Sequence, residues 1–326
     1  MKIRPSERAQ GGAFPARAIV FEQPRQLALR SFSLPPPAEG EILVDVEWSG
    51  ISTGTEKLLW TGRMPDFPGL GYPLVPGYET VGTVVARGRD ATLREGDRVF
   101  VPGARCFGDV RGLFGGAASH LVVEEARVMP LSSGLREEAV LLALAATAYH
   151  ALHRDEEPAL PDLIVGHGVL GRLLARLTLA LGGPAPVVWE NDSRRCSGGN
   201  GYEVTLPDAD DRRDYGRVLD ASGAEGMLDE LIQRTGKGGE IVLAGFYQEP
   251  VSFVFPPAFM RETTIRIAAE WTPRDLDAVS RLAESGDLSL AGLVSHRADP
   301  AQAEDAYIRA FGDPACLKMI LDWRTF

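Results

Sequence analysis

The residues best suited to bind a phosphate-bearing ligand form the glycine-rich segment Gly166–Gly171, whose spacing is G-x-G-x-x-G. A short apolar run, Asp162–Val165, precedes this segment, and an amphipathic helical pattern through Leu181 follows it. In a strand–turn–helix context the first glycine permits a tight turn, the second lets a pyrophosphate approach the backbone, and the third lets the helix pack close to the sheet. Free amides and the helix dipole then hold the pyrophosphate. The motif therefore predicts a dinucleotide site built from Gly166, Gly168, Val169, Leu170 and Gly171.

An acidic residue, Glu190, lies about 20 residues beyond the motif, at the end of the next predicted strand. A carboxylate there accepts hydrogen bonds from the ribose hydroxyls of the cofactor and repels a 2′-phosphate, so the sequence predicts NAD rather than NADP. The alternative is that the next polar residues hold a 2′-phosphate: Ser193, Arg194 and Arg195. His167, inside the motif, is predicted either to contact the cofactor or to face solvent.

A second group of reactive side chains lies between residues 49 and 79. Tyr78 is the first candidate for a base that takes the proton of an alcohol, and Lys57 would lower its pKa if the two side chains meet. Thr53 could relay the proton, and Glu79 could act as a base or orient Tyr78. Each residue also has a structural alternative. Tyr78 would then be a packed aromatic, Lys57 a surface charge, Thr53 a turn residue and Glu79 the partner of an arginine.

The segments Ser49–Lys57 and Gly77–Glu79 resemble the zinc half-site of medium-chain alcohol dehydrogenases. In that family the first segment reads Cys-Gly-x-Cys-x-x-Asp and the second reads Gly-His-Glu. Here Ser52 replaces the ligand cysteine and Tyr78 replaces the ligand histidine, whereas Glu79 is retained. Serine and tyrosine are poor zinc ligands, because their neutral hydroxyls must lose a proton at high cost.

The other segments that carry zinc ligands in this family also lack them. The segment that matches the third catalytic ligand, residues 144–148, contains no Cys or His. The strand Gly96–Val99, which precedes four cysteines in many relatives, is followed only by Cys106. The resemblance therefore implies no metal site. In zinc enzymes the metal lowers the pKa of the alcohol, so here a positioned side chain must take the hydroxyl proton instead.

Two different patterns of secondary structure must position these residues. From Ala16 to Glu124, short β-branched runs alternate with turn residues, which indicates a β-rich domain of irregular antiparallel type. A helical pattern at Arg136–Leu152 is followed by alternating strands and helices, with a turn expected at Gly236–Gly239. This alternation indicates a doubly wound parallel sheet. With the resemblance, the expected fold class is α/β: a β-rich GroES-like catalytic domain plus a doubly wound parallel Rossmann domain.

The composition is that of a globular protein with two domains: 326 residues, 44% hydrophobic and 24% charged. The expected domains are 1–140, with 292–326 returning to it, and 141–291. The net charge of −11 argues against a nucleic-acid partner, which needs a basic stripe. Three scattered cysteines and an N-terminus without an apolar core segment favour the reducing cytoplasm. The longest apolar run, Ala139–Leu152, is too short to span a bilayer, so at most transient membrane contact is expected.

The segment Ser49–Glu79 and the ending Leu317–Trp323 resemble one branch of this family, which acts in bacteriochlorophyll biosynthesis. The resemblance implies a tetrapyrrole substrate, a chlorophyllide or bacteriochlorophyllide. It also implies oxidation of the C3 1-hydroxyethyl group to an acetyl group, with hydride passed to NAD, and by analogy a homodimer. Two alternatives are a zinc-free quinone or enoyl reductase of the same superfamily and a non-catalytic pigment carrier.

A flat, apolar macrocycle needs a wide cleft with aromatic walls. Five aromatic residues lie in the loops that should border such a cleft: Trp60, Phe67, Tyr72, Phe107 and Phe114. Each of them has the alternative of a place in the hydrophobic core. Arg63 or Arg105 could pair with the free propionate of the pigment, or could be a solvated surface charge.

Overall fold

The chain forms two compact units in a computed structural model, which describes residues 12–66, 68–132, 134–154, 157–247 and 249–326. The first unit combines Met1–Ala143 with Ala291–Phe326, and the second unit is Leu144–Leu290. Phe67, one of the aromatic residues predicted to border a cleft, lies outside the described residues. No helix within the described ranges is long and apolar enough to cross a membrane.

The order of elements changes from strands to alternating strands and helices. The first part of the chain contains β1 (Phe14–Gln23), β2 (Gln26–Leu34), β3 (Glu41–Ile51), α1 (Thr55–Thr61), β4 (Leu74–Val75), β5 (Thr80–Arg87), β6 (Arg98–Val101), β7 (Arg111–Gly112), β8 (His120–Glu124) and β9 (Met129–Pro130). The middle part contains α2 (Leu142–Leu152), β10 (His153–Arg154), β11 (Glu157–Pro158), β12 (Leu163–Val165), α3 (Val169–Ala180), β13 (Val187–Trp189), β14 (Glu203–Thr205), β15 (Tyr215–Asp220), α4 (Met227–Arg234), β16 (Thr235–Leu243), α5 (Phe255–Arg261), β17 (Thr264–Ile267) and α6 (Pro273–Ser285). The last part contains β18 (Val294–Ala298), α7 (Ala303–Gly312) and β19 (Lys318–Asp322).

Two sheets form the first unit. One has the strand order β2-β1-β4-β7, and the other has the order β18-β19-β3-β5-β6-β9, with β8 pairing to β3. The last strand, β19, runs antiparallel to β3, in a register that places Met319 opposite Ile51. Lys318, the first residue of β19, therefore lies beside the point where β3 ends.

The second unit contains a parallel sheet with the order β14-β13-β12-β15-β16-β17. The three residues of β12 are all buried, as expected for a parallel strand that is covered on both faces. The order of strands reverses on the two sides of β12, and ligands of such sheets bind at the carboxyl end of the strands at this switch point. The predicted fold class, a β-rich domain plus a doubly wound parallel domain, is confirmed.

One predicted turn is instead part of a strand. The glycine-rich segment Gly236–Gly239 lies inside β16, which pairs with β15 from Thr235 onward. The pairing shifts register between Tyr215 and Arg217, so the strand accommodates the glycines as an irregularity. The pairs with β15 are made by Thr235 and then Glu240, so the glycines between them bulge out of the ladder, and Gly238 keeps a turn-like φ of +75°.

Candidate functional site

Three hydroxyl groups meet in the first unit. Ser52 Oγ lies 2.6 Å from the Tyr78 hydroxyl, and the Thr55 side chain also hydrogen bonds to that hydroxyl. Ser52 directly follows β3, Thr55 is the first residue of α1, and Tyr78 lies two residues before β5. The Phe114 ring packs edge-on against the Tyr78 ring, with 5.1 Å between the centroids. We call Ser52, Thr55 and Tyr78 the hydroxyl cluster.

The phenol of Tyr78 is a weaker acid than a free tyrosine. Burial and the negative charge of Glu79 raise the pKa of Tyr78, and the hydrogen bonds with Ser52 and Thr55 oppose this rise only in part. The lowering by Lys57 was expected only if the two side chains meet. Lys57 is half-buried in α1 and, within the described part of the chain, is not among the main causes of the Tyr78 pKa shift. Thr53 is exposed in the turn between β3 and α1.

Glu79 is fully buried and paired with a lysine. Lys318 Nζ donates to Glu79 Oε1 at 2.9 Å, to Glu79 Oε2 at 2.7 Å and to the Ile51 carbonyl oxygen at 3.2 Å. Gly50 makes room for this pair, because a Cβ atom there would lie 2.1 Å from Glu79 Oε2. Since Lys318 binds both carboxylate oxygens, Glu79 has the geometry of an orienting group rather than of a base. Its partner is a lysine, not the arginine of the structural alternative.

A second buried carboxyl group, Glu56, lies in the first turn of α1. The Tyr307 hydroxyl donates to Glu56 Oε2 at 2.8 Å, and the Ser52 amide donates to Glu56 Oε1 at 3.1 Å. Burial, assisted by the nearby charge of Glu79, raises the pKa of Glu56 to about 8. Glu56 is therefore mostly uncharged at neutral pH.

No role was predicted from the sequence for Thr55, Glu56, Tyr307 or Lys318. Lys318 begins the apolar strand pattern Lys-Met-Ile-Leu, and a lysine inside such a strand indicates a buried partner. The identity of the partner has no local signal, because Glu79 lies 239 positions earlier in the chain. Glu56 and Tyr307 are likewise 251 positions apart.

The hydroxyl cluster does not suit a catalytic zinc ion. Such an ion takes thiolate, imidazole or carboxylate ligands, whereas Ser52 and Tyr78 are neutral hydroxyls that bond to each other. Glu79, the one carboxylate retained from the zinc half-site, is bound to Lys318. Among the residues that the structure describes, no three His, Cys, Asp or Glu side chains are grouped to hold a metal.

The glycine-rich segment of the second unit has the geometry of a dinucleotide-binding loop. Gly166 adopts a φ of +97°, a left-handed conformation that favours glycine. A Cβ atom at Gly171 would lie 1.8 Å from the Gly166 carbonyl oxygen, so only glycine lets α3 pack this close to the turn. Gly168 is the N-cap of α3, and no side chain of the described residues caps this helix. The first amides of α3, those of Val169 and Leu170, are therefore suited to bind a phosphate.

Glu190 directly follows β13 and lies beside this loop. Its Oε2 accepts a hydrogen bond from the His167 amide at 3.2 Å, and its Oε1 accepts one from the Asp192 amide at 3.1 Å. Arg195 Nε lies 3.5 Å from Glu190 Oε2, and the Arg195 guanidinium is 3.3 Å from the position of a Cβ atom at Gly168. Glu190, which is predicted to bind the ribose, thus lies next to Arg195. Arg195 is one of the residues that would hold a 2′-phosphate in the alternative prediction.

His167 is buried, so the solvent-facing alternative is wrong. Its Nδ1 donates to the Arg195 carbonyl oxygen at 2.7 Å, which leaves Nε2 to accept from the Tyr202 hydroxyl at 3.0 Å. Burial lowers the pKa of His167 to about 4, so the ring is neutral at physiological pH. His167 therefore fixes the loop through its backbone and ring without contributing charge. Arg194, by contrast, is exposed and pairs with Asp192 at 2.6 Å.

The residues predicted for pigment binding differ in their exposure. Trp60 and Phe107 belong to the hydrophobic core of the first unit, as their structural alternative predicted. Two of the aromatic candidates are half-buried: Tyr72 and Phe114. Both basic candidates are exposed: Arg63 and Arg105.

Comparison with known proteins decides the family. The alcohol dehydrogenase GroES-like domain family matches residues 38–133. A 2-desacetyl-2-hydroxyethyl bacteriochlorophyllide A dehydrogenase from Rhodobacter capsulatus is 57% identical over 309 residues, which cover 94% of this chain and 98% of that protein. The chain belongs to the 2-desacetyl-2-hydroxyethyl bacteriochlorophyllide A dehydrogenase family. A second family member, from Cereibacter sphaeroides, is 56% identical over 313 residues, with the same two coverages.

Solved dehydrogenase structures share the fold of the family. L-idonate 5-dehydrogenase from Escherichia coli superposes with a TM-score of 0.83 at 19% identity, covering 95% of this chain and 99% of that chain. A short chain alcohol dehydrogenase from E. coli, complexed with NADH, gives a TM-score of 0.80 at 21% identity, covering 94% and 99%. The GroES-like domain match and these folds place the family among the medium-chain dehydrogenases/reductases.

Proposed function

We propose that the protein oxidises the ring-bound 1-hydroxyethyl group of a chlorophyllide or bacteriochlorophyllide to an acetyl group in bacteriochlorophyll biosynthesis, with NAD as hydride acceptor. The observation that carries this proposal is the 57% identity, over nearly the full length, to an enzyme whose name describes such a pigment. That name denotes a pigment with a hydroxyethyl group in the place of an acetyl group, so its oxidation yields the acetyl form.

The second unit supplies the residues that would hold the cofactor. The loop from Gly166 to Gly171 and the first amides of α3 suit the pyrophosphate, and the Glu190 carboxylate suits the ribose hydroxyls. A nicotinamide bound there would supply the acceptor for the hydride of the alcohol carbon. Glu190 favours NAD because its charge repels a 2′-phosphate. The amides of His167 and Asp192 hold that carboxylate in place, and Arg195 offsets only part of its charge.

In the first unit, Tyr78 receives the hydroxyl proton of the substrate as the hydride leaves. Because the raised pKa of Tyr78 disfavours a stored phenolate, the phenol must pass on its own proton in the same step. The half-buried Thr55 hydroxyl donates to the phenol oxygen in this structure. When it turns to accept from Tyr78 instead, it takes that proton and releases its own to water. The Ser52 hydroxyl lies 2.6 Å from the phenol oxygen, so it can donate to that oxygen and stabilise the charge that develops there. The products are the ketone, the reduced cofactor and one proton in solvent.

The chemistry of the substrate accounts for a site without zinc. The carbon that bears the hydroxyl adjoins a conjugated macrocycle, so the ketone product gains conjugation. Such an alcohol needs less acidification than a simple one, and neutral hydroxyls suffice. Arg63 and Arg105 are exposed and are the candidates for pairing with the propionate of the pigment.

The test is an assay of the purified protein with 3-hydroxyethyl chlorophyllide or bacteriochlorophyllide and NAD. We expect NADH absorbance to rise and the pigment to become lighter by two hydrogen atoms in mass spectra. Pigment binding without NADH formation would favour a carrier, and reduction of quinones or enoyl substrates by NADPH would favour a reductase. One equivalent of zinc, with turnover lost on chelation, would overturn the zinc-free site.

We further propose that the enzyme acts in the cytoplasm as a homodimer with at most transient membrane contact and without a nucleic-acid partner. The net charge of −11 supports the absence of a nucleic-acid partner, since binding the phosphate backbone of a nucleic acid needs a basic surface. The homodimer is supported by a group of exposed apolar side chains around α5 and β17.

A further inference from the structure

Glu56 contacts the hydroxyl cluster but has no part in the proposed proton transfer. Its side chain is fully buried, and each oxygen has one partner among the described residues. The Ser52 amide donates to Oε1 at 3.1 Å, and the Tyr307 hydroxyl lies 2.8 Å from Oε2, where it can donate to a carboxylate or accept the proton of the uncharged acid. Tyr307 is itself fully buried, with its ring against those of Phe21 and Trp60 at 5.1 and 6.3 Å between centroids. The aromatic packing of Tyr307 therefore fixes the position of the Glu56 carboxyl group.

The Glu56 carboxyl group is held without a counter-ion. An ammonium group has three donors, and Lys318 directs its own to the two oxygens of Glu79 and the carbonyl of Ile51. Within the described part of the chain, Glu56 forms no salt bridge. If both buried carboxyl groups were ionised, one lysine would face two negative charges, and like charges in a buried site disfavour the second ionisation.

We propose that Glu56 is a positioning residue for the proton transfer: its uncharged carboxyl group fixes the Ser52 amide and thereby holds the Ser52 hydroxyl against Tyr78. Ser52 connects the two interactions, because its amide faces Glu56 while its hydroxyl faces the phenol. The inference rests on the proposed function, since it concerns the same proton transfer.

Ionisation of Glu56 should weaken the site. Four groups from different elements face Glu56: Ser52 after β3, Glu79 before β5, Tyr307 on α7 and Lys318 on β19. A charge on Glu56 would add to that of Glu79, and both charges make the Tyr78 phenol harder to deprotonate. Because the pKa of Glu56 is about 8, turnover should decline as the pH rises through that value.

The test compares Glu56→Gln, which keeps an acceptor for the Ser52 amide and cannot ionise, with Glu56→Ala, which removes the contact. Glu304→Gln, an exposed acid in the first turn of α7, is the matched control. We expect Glu56→Gln to keep kcat at pH 7 within about twofold and to lose the alkaline decline. Glu56→Ala should lower kcat about tenfold or more at an unchanged KM for NAD, because the Ser52 hydroxyl is no longer held against Tyr78. The control should retain both the wild-type kcat and the wild-type decline.

Infrared difference spectra separate this inference from the proposed function. A protonated carboxyl band that persists from pH 6 and disappears near pH 8, and that is missing from Glu56→Gln, would show the uncharged group even if the pigment is not the substrate. A missing band in the wild type would overturn the inference. So would an alkaline decline that is unchanged in Glu56→Gln, or a folded Glu56→Ala variant with wild-type kcat.

Discussion

At the scale of single residues, the proposed chemistry depends on Tyr78 as a neutral phenol. Tyr78→Phe removes the hydroxyl and keeps the ring that packs against Phe114. We expect kcat to fall about 100-fold, the lower end of the contribution of general acid–base catalysis. The Kd for NAD should not change, because the proposed cofactor residues belong to the second unit. Steady-state kinetics and a cofactor titration measure the two quantities.

Tyr215→Phe is the matched control for Tyr78→Phe. Tyr215 is buried in the second unit, and its hydroxyl donates to Asp210 Oδ2 at 2.6 Å. The change removes the same atom and one hydrogen bond, so it should lower the free energy of unfolding and leave kcat unchanged. Wild-type kcat in Tyr78→Phe would instead assign Tyr78 to packing alone.

Glu56 couples the site to the stability of the protein. The pKa of Glu56 is about 8 in the folded protein, against an ordinary value of 4.5. Below about pH 4.5 both the folded and the unfolded chain hold the proton, and up to about pH 8 only the folded chain does. The stability that this group contributes is thus fully present below pH 4.5 and is lost as the pH rises to 8.

Urea unfolding of the wild type and Glu56→Gln at several pH values between about 5 and 8 tests this linkage. The free energy of unfolding of the wild type should fall relative to the variant by up to about 1.4 kcal/mol per pH unit. Glu304→Gln should follow the wild type. If the wild type and Glu56→Gln change in parallel over this range, Glu56 is ionised in the folded protein and its assigned pKa is wrong.

Residues of the candidate site could be predicted where a short segment of sequence identifies them, and not where their role depends on a partner far away in the chain. Ser52, Tyr78 and Glu79 were identified because each lies in a short segment whose sequence is characteristic of the zinc half-site of the family. The rise of the Tyr78 pKa was not predicted, because the burial that causes it is a property of the assembled fold. Lys318, which binds Glu79 across 239 positions, could not be found by spacing.

At the scale of elements, β12, α3 and the end of β13 act together as one cofactor-binding structure. Glu190→Gln removes the charge that repels a 2′-phosphate and keeps a side chain of similar size beside Arg195. We expect the ratio of the Kd for NAD to that for NADP to shift at least about tenfold towards NADP, or about 1.4 kcal/mol. Cofactor titrations of the wild type and variant measure this ratio.

Glu203→Gln provides the control for this change. Glu203 is an exposed acid at the start of β14, the next strand of the same sheet, and its neutralisation should leave the ratio unchanged. An equal shift in both variants would mean that only the overall charge matters. No shift in Glu190→Gln would remove Glu190 from the recognition of the ribose.

The elements that were predictable are those with a strong local pattern. The strand, glycine loop and helix around Gly166–Gly171 follow one another without interruption, so their order and contacts could be inferred. The segment Gly236–Gly239 was predicted to be a turn, because glycine favours turns locally. It is a bulge inside β16, because Thr235 and Glu240 on either side of it pair with β15, and a local sequence pattern does not show that pairing.

At the scale of the whole molecule, the candidate proton-transfer site depends on the return of the chain to the first unit. The pairing of β19 with β3 brings Lys318 to Glu79, and α7 brings Tyr307 to Glu56. These contacts join parts of the sequence that the second unit separates. The return of the C-terminal segment to the first unit was implied by resemblance to the family. Its contacts with Glu79 and Glu56 were not implied by that resemblance.

The edge of the second unit is the candidate surface for a homodimer. Among the described strands, β17 is the last of its sheet, and its final residue, Ile267, is 75% exposed. On α5, which precedes β17 in the chain, Phe259 is 64% and Met260 is 71% exposed, and both line one surface groove with Ile265 of β17. Large apolar side chains grouped at a sheet edge indicate a surface that another chain covers, and a twofold pairing with a second copy would bury the same patch on both.

Sedimentation of the wild type should therefore give a mass about twice that of one chain, and Ile267→Lys should shift it towards the monomer, because the dimer would have to bury a charge in each copy of the patch. Ile308→Lys is the matched control: Ile308 is 55% exposed on α7 of the first unit, so its charge should leave the dimer intact. A monomeric wild type would contradict the proposed homodimer. A dimer that both variants leave unchanged would place the interface elsewhere on the molecule.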